Sequence, residues 1–178
     1  MIKSIIFFAI ITSSCSNFIN SDKKNKDLEL LKIDKINKLE TENSIDMKGL
    51  IVTFLTFQKA DAEQAMNFYV ELFENSKVDN INRWGKEGSG QEGTIMHATF
   101  TLNGKPFMCS DSPAIHGWGF TPAISNYIDC EDESEIERLF SKLSENGKIM
   151  MPLNNYGFSQ KFGFVEDRFG ISWQLNLQ

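Results

Sequence analysis

From residue 50 to residue 57 the chain reads LIVTFLTF, and both faces of such a run are largely apolar when extended. A segment of that kind belongs to a strand buried on both sides or near the middle of a sheet. Directly after it the period changes. Ala65, Phe68, Tyr69, Leu72 and Phe73 recur at helical spacing and form one broad apolar face. Asp61 stands where this helix begins and Gln64 follows three residues on, a capping-box pair that predicts an N-cap at Asp61. Strand character returns over residues 78–84 and 94–102, separated by a glycine-rich stretch at 85–93. In the second of these runs Met96, Ala98, Phe100 and Leu102 alternate with Ile95, His97, Thr99 and Thr101. We expect the Met96 to Leu102 stripe to pack on the helix and His97 to face the other way. Asn103-Gly104 then predicts a tight hairpin into a strand over 105–110.

The same order is then repeated. Residues 122–128 predict a strand, Asp132 with Glu135 predicts a second capping box, and Ile136, Leu139, Phe140 and Leu143 form a second apolar helix face. Asn146-Gly147 ends that helix. Strands follow over 148–151, 158–166 and 171–177, the last two joined by a turn at 167–170 in which Gly170 is free to take positive φ. A pattern written twice predicts an α+β fold made from a duplicated strand–helix–strands half, with a pocket where the halves meet. The glycine-rich stretch opens no helix and lacks a Lys-Ser or Lys-Thr end, so it predicts a hairpin loop rather than a phosphate cradle. The acidic run at 129–137 suits the positive end of a helix dipole better than a metal site.

Charge narrows the possible partners. Residues 1–46 hold seven Lys against seven Asp and Glu, so the whole net charge of −6 falls on residues 47–178, with 11 basic and 17 acidic side chains. An acidic domain without a basic stripe repels phosphate backbones, which excludes nucleic acid as the expected partner. At 41% hydrophobic the chain can bury a core.

The N-terminus has a different character. Lys3, an apolar run at 5–12 and the small residues Ser13 and Ser14 precede Cys15, an arrangement that resembles a bacterial lipoprotein signal with Cys15 as the lipidation site. The apolar run is too short to span a bilayer. We therefore expect a signal at 1–15, a polar tether at 16–46 with some helix around Leu28, Leu31 and Ile36, and a folded domain at 47–178. That places the protein at the cell envelope, with the membrane reached only through the lipid anchor. An ordinary cleaved signal is one alternative to lipidation, and a start at Met47, which would make the protein cytoplasmic, is the other. Cys109 and Cys130 are expected to be free thiols.

Five segments carry a family resemblance: TFLTF at 53–57, AMNFYVELF at 65–73, FTLNGKPF at 100–107, FTPAIS at 120–125 and EDRFGISWQ at 166–174. In this order they resemble the vicinal oxygen chelate superfamily, the glyoxalase/bleomycin-resistance fold, and within it the PhnB-like family. The resemblance implies two βαβββ modules around a cavity, and homodimers as the common assembly. Many members hold a divalent metal at positions that fall near Thr53, Met108, Ala123 and Gln174. Thr, Met and Ala are poor ligands for such ions, so we expect no metal and no other cofactor here. The methyltransferase label that PhnB-like proteins often carry is not supported. The turn Gln58-Lys59-Ala60-Asp61 has no glycine to cradle S-adenosylmethionine.

The cavity is expected to be lined by Thr53, Leu55, His97, Met108, Ser110, Ser125, Tyr127, Ser172 and Gln174, with Trp118 and Phe120 either a lid over it or simply packed in place. His97 is the candidate general acid or base, or else a hydrogen-bonded structural histidine. No nucleophile with a partner at recognisable spacing is evident. The expected function is metal-free binding of an unidentified small molecule. The alternatives are a metal-dependent lyase, isomerase or dioxygenase of the same fold, or a structural or interaction protein.

Overall fold

The computed structural model describes residues 26, 28–32 and 47–178. The expected signal at 1–15, Cys15 included, and most of the tether at 16–46 lie outside the described residues. The chain divides into two units, residues 1–46 and 47–178. In the first, residues 28–32 are helical, with Leu28 and Leu31 exposed.

The second unit carries two copies of one arrangement. The first module consists of strand β1 (Thr53–Phe57), helix α1 (Ala62–Leu72) and strands β2 (Lys77–Arg83), β3 (Ile95–Leu102) and β4 (Lys105–Asp111). The second consists of β5 (Asn126–Asp129), α2 (Glu133–Ser144), β6 (Lys148–Asn154), β7 (Lys161–Glu166) and β8 (Ser172–Leu177). Each makes a four-stranded sheet, ordered β1-β4-β3-β2 and β5-β8-β7-β6, and in each the first strand pairs parallel with the last. The helix is the crossover that a parallel pair requires.

One face of each sheet is covered by helices. Leu55, Phe57, Ala98, Phe100 and Cys109 from the first sheet join Trp173, Leu175 and Val165 from the second in a single buried cluster with Met66, Tyr69, Ile136 and Leu139 of the helices. Fully burying a large apolar side chain contributes about 1.5–3 kcal/mol, so this shared core holds the two modules together. Arg138 of α2 adds a polar link, donating to the Leu72 carbonyl at the end of α1 at 2.9 Å.

Several local expectations are corrected. β1 begins at Thr53, not residue 50, and Leu50 and Ile51 are exposed. Residues 122–124 are not strand: the Ile124 N–H donates to the Thr121 carbonyl, a turn, and β5 starts at Asn126. Proline has no N–H to give a ladder, so residue 122 opens the turn instead. β7 starts at Lys161 rather than residue 158.

The apolar stripe of β3 is shifted. A register break between Asn82 and Arg83, opposite the start of β3, buries Ile95 and leaves Met96 42% exposed. A bulge adds one residue and so inverts the alternation on one side of it. Ala98, Phe100 and Leu102 pack inward as expected.

Asp61 makes no side-chain capping bond. The Ala62 N–H donates instead to Asp111 Oδ1 at 3.0 Å, and Asp111 Oδ2 accepts from the Ile95 N–H at 2.9 Å. The second helix follows the expected pattern, with Asp132 Oδ1 accepting from the Glu135 N–H at 2.8 Å.

Candidate functional site

β1 and β4 run side by side, with Phe54 opposite Met108 and Thr56 opposite Ser110. Thr99 of β3 lies across from Met108. Side chains alternate across a strand, so Phe54, Thr56, Thr99, Met108 and Ser110 share the face turned away from α1. His97 joins them: its ring lies 5.9 Å from that of Phe54. All of these except Phe54, which is 46% exposed, are half-buried.

Thr53 and Leu55 belong to the opposite face. Leu55 is buried in the core and lines no open site, and Thr53 is exposed on the helix side of β1. A one-residue offset in a strand exchanges faces, so Phe54 and Thr56 take the places expected of Thr53 and Leu55.

On the second sheet Gln174 lies between Tyr127 of β5 and Phe164 of β7. Its amide Nε2 donates to Ser125 Oγ at 2.7 Å, which fixes the side chain across the strand edge. Ser172 pairs with Glu166 on the same face and is buried, with its Oγ in no hydrogen bond. The structure thus brings His97, Met108 and Ser110 together, and separately Ser125, Tyr127 and Gln174.

Among the described residues, two clefts lie between the modules. The smaller, about 200 Å³, is lined by Thr56, Gln58, Lys59 and Asp61 from the first module and by Phe120, Glu166 and Gly170 from the second. The segment expected to be a lid borders it. Phe120 packs edge-on against Phe57 with ring centroids 5.2 Å apart. Trp118 stacks on His116 at 4.5 Å, and Ser112 Oγ lies 2.9 Å from His116 Nε2. Gln58 ties this segment down: its Nε2 donates to the Trp118 carbonyl and its Oε1 accepts from the His116 N–H, each at 2.5 Å. The larger cleft, about 540 Å³, contains Tyr127 and Trp173.

The residues present do not fit the metal of the wider superfamily. Thr53 and Met108 point to opposite faces of their sheet, residue 123 sits in an exposed turn, and Gln174, with Oε1 as its one ligating atom, cannot hold an ion alone. No group of three or more His, Cys, Asp or Glu side chains that could hold an ion occurs among the described residues. Nor do the described residues hold an activated thiol. Burial, and then Asp111, push Cys109 up to about 12, and burial, and then Glu135, push Cys130 up to about 12. Both cysteines are free and buried, so at neutral pH they stay protonated and act as small apolar groups.

Gln58 and Asp111 escaped the sequence reading. Asp111 reaches Ala62 across 49 positions and Gln58 reaches His116 across 58, through bonds that no local pattern encodes.

Residues 49–176 match the family described as 3-demethylubiquinone-9 3-methyltransferase. The structure superposes on the PhnB protein of Bacillus cereus with a TM-score of 0.70 and 53% identity, covering 72% of this chain and 98% of that one. It also superposes on protein PA1353 of Pseudomonas aeruginosa, with a TM-score of 0.63 and 28% identity, covering 72% and 96%. The protein YjdN of Escherichia coli K12 is 31% identical over 83 residues, which are 47% of this chain and 56% of YjdN. The match thus spans little more than half the length of that relative.

Proposed function

This protein belongs to the PhnB-like family described as 3-demethylubiquinone-9 3-methyltransferases, and we propose that it binds a small organic molecule without a metal. The observation that carries this reading is the composition of the outer face of the first sheet. An imidazole (His97), a thioether (Met108), hydroxyls (Thr56, Ser110) and an exposed ring (Phe54) are gathered there, and Asp79, the carboxylate bonded to Thr101 of the same face, is engaged by that hydroxyl at 2.8 Å and by Lys77 at 3.1 Å. A few convergent polar groups on an apolar ground suit recognition of a neutral or weakly polar ligand.

Methyl transfer does not follow from the family description. The β1–α1 turn has no glycine, Gln58 is spent on the lid segment, and Asp111 already occupies the first N–H of α1. A second copy of the chain would cover the exposed Phe54 and Met96, so a homodimer is part of the proposal. Tethering at the cell envelope through Cys15 is a further part of it, tested by mass spectrometry of the mature N-terminus.

The test is elemental mass spectrometry of the purified full chain, followed by thermal-shift screening of small molecules with and without chelator. We expect substoichiometric metal and a ligand-dependent rise in melting temperature that survives the chelator, since a ligand of the folded state stabilises it. Near-stoichiometric metal, or a shift that the chelator abolishes, would replace this reading with the metal-dependent lyase, isomerase or dioxygenase. No shift from any compound would favour an interaction protein.

A further inference from the structure

The larger of the two clefts lies apart from the His97 face and has a different chemistry. It opens where the end of α1 and the start of β4 meet β5 and the first turn of α2, and its volume of about 540 Å³ is that of a small-molecule site. Its floor is apolar. Phe73 and Trp173 lie 5.3 Å apart at 33°, flanked by Leu102, Phe107 and Ile128.

The rim is acidic. Glu74, Asp129, Glu131, Asp132 and Glu135 border the cleft, against only Lys105 and Arg138. Three of those carboxylates are engaged: Asp129 with the Asn176 amide, Asp132 with the Glu135 N–H, and Glu135 with the Glu131 N–H. Arg138 is turned partly away, donating to the Leu72 carbonyl. The Glu74 and Glu131 carboxylates have no side-chain partner among the described residues and are exposed.

We propose that this cleft is a second binding site, for an organic cation with an apolar body such as an aromatic quaternary ammonium. An excess of carboxylates over an apolar floor concentrates the negative potential inside the cleft. The half-buried Phe73 and Phe107 rings attract a cation and accept its hydrophobic frame, backed by Trp173, which is buried against both Phe73 and Tyr69. The same field repels anions of equal size, so charge and not hydrophobicity alone selects the ligand. The site is independent of the metal-free reading of the His97 face.

Fluorescence titration of the full chain with berberine, an aromatic quaternary cation, tests the proposal, with anilinonaphthalene sulfonate as the anionic counterpart. Berberine is expected to bind saturably and to weaken as salt rises. Glu74→Gln combined with Glu131→Gln should weaken it about threefold to tenfold at low salt, and Lys105→Gln should strengthen it by a smaller factor. All three positions are exposed, so the melting temperature should not move. Affinity indifferent to both sets of charge changes, or tighter binding of the anionic dye, would overturn the proposal.

Discussion

Asp111 holds two backbone donors from two different elements, the N–H groups of Ala62 at the start of α1 and Ile95 at the start of β3. It is buried, so removing the carboxylate would leave both donors without water or partner. Asp111→Ala is therefore expected to cost about 2–4 kcal/mol. Asp61→Ala should cost less than about 0.5 kcal/mol, because Asp61 caps nothing through its side chain. Chemical denaturation of the two variants decides the matter, and an equal loss would return the cap to Asp61. The contrast shows how a local rule is displaced. The S/T/D-x-x-E/Q pattern is satisfied on paper at Asp61 and Gln64, but the side-chain cap comes instead from a carboxylate 49 positions away, which takes the Ala62 N–H. No motif announces it.

Among the elements, the end of α2 shows why two glycine positions differ. Asn146 takes the positive φ of 58° that ends the helix. Gly147 serves another purpose: a Cβ there would stand 2.3 Å from the Glu166 carbonyl oxygen and 3.0 Å from Asp167 Cα, both backbone atoms. Gly163 on β7 would instead meet the Phe140 ring of α2 at 2.5 Å. A ring can turn aside and a strand cannot, so Gly147→Ala should destabilise by about 3 kcal/mol and Gly163→Ala by about half as much. Thermal denaturation of both variants, with the reverse order as the contrary result, tests this. Helices, hairpins and module order could be read along the chain because they depend on neighbours three or four residues apart. Strand ends at 122–128 and the bulge opposite Ile95 could not, since each depends on what the partner strand offers.

For the molecule as a whole, the join between modules centres on Asp167. Its Oδ2 accepts from the Tyr69 hydroxyl at 2.6 Å and from Trp173 Nε1 at 2.8 Å, while Oδ1 accepts from the N–H groups of Phe169 and Ile171. Tyr69 belongs to the first module, so one buried carboxylate links the two. Asp167→Asn would set an amide N–H against Trp173 Nε1–H and should cost about 2–3 kcal/mol. Burial raises the Asp167 carboxyl above its ordinary range despite its four donors, which pull the other way. A raised folded-state value means that the group's contribution is fully present below the unfolded value and is lost as pH rises through the folded one. The stability gap between wild type and Asp167→Asn should therefore be wider at about pH 3.5 than at about pH 7. Urea midpoints at the two values measure the gap, and one that narrows in acid would show that the hydrogen bonds outweigh burial.

Taken by itself, the sequence determined the family, the duplicated βαβββ plan and the helix faces, because periodicity and turn chemistry act over short distances. His97, Met108 and Ser110 could be placed on one face from alternation alone. The exchange of Thr53 and Leu55 for Phe54 and Thr56 needed the parallel register of β1 on β4, which aligns residues more than fifty positions apart. Tertiary structure also decided that Gln58 anchors the backbone at His116 and Trp118 and that carboxylates from both modules gather over Phe73 and Trp173. Those outcomes depend on which surfaces become adjacent when the chain closes on itself, and adjacency at such separation leaves no periodic trace in the order of residues.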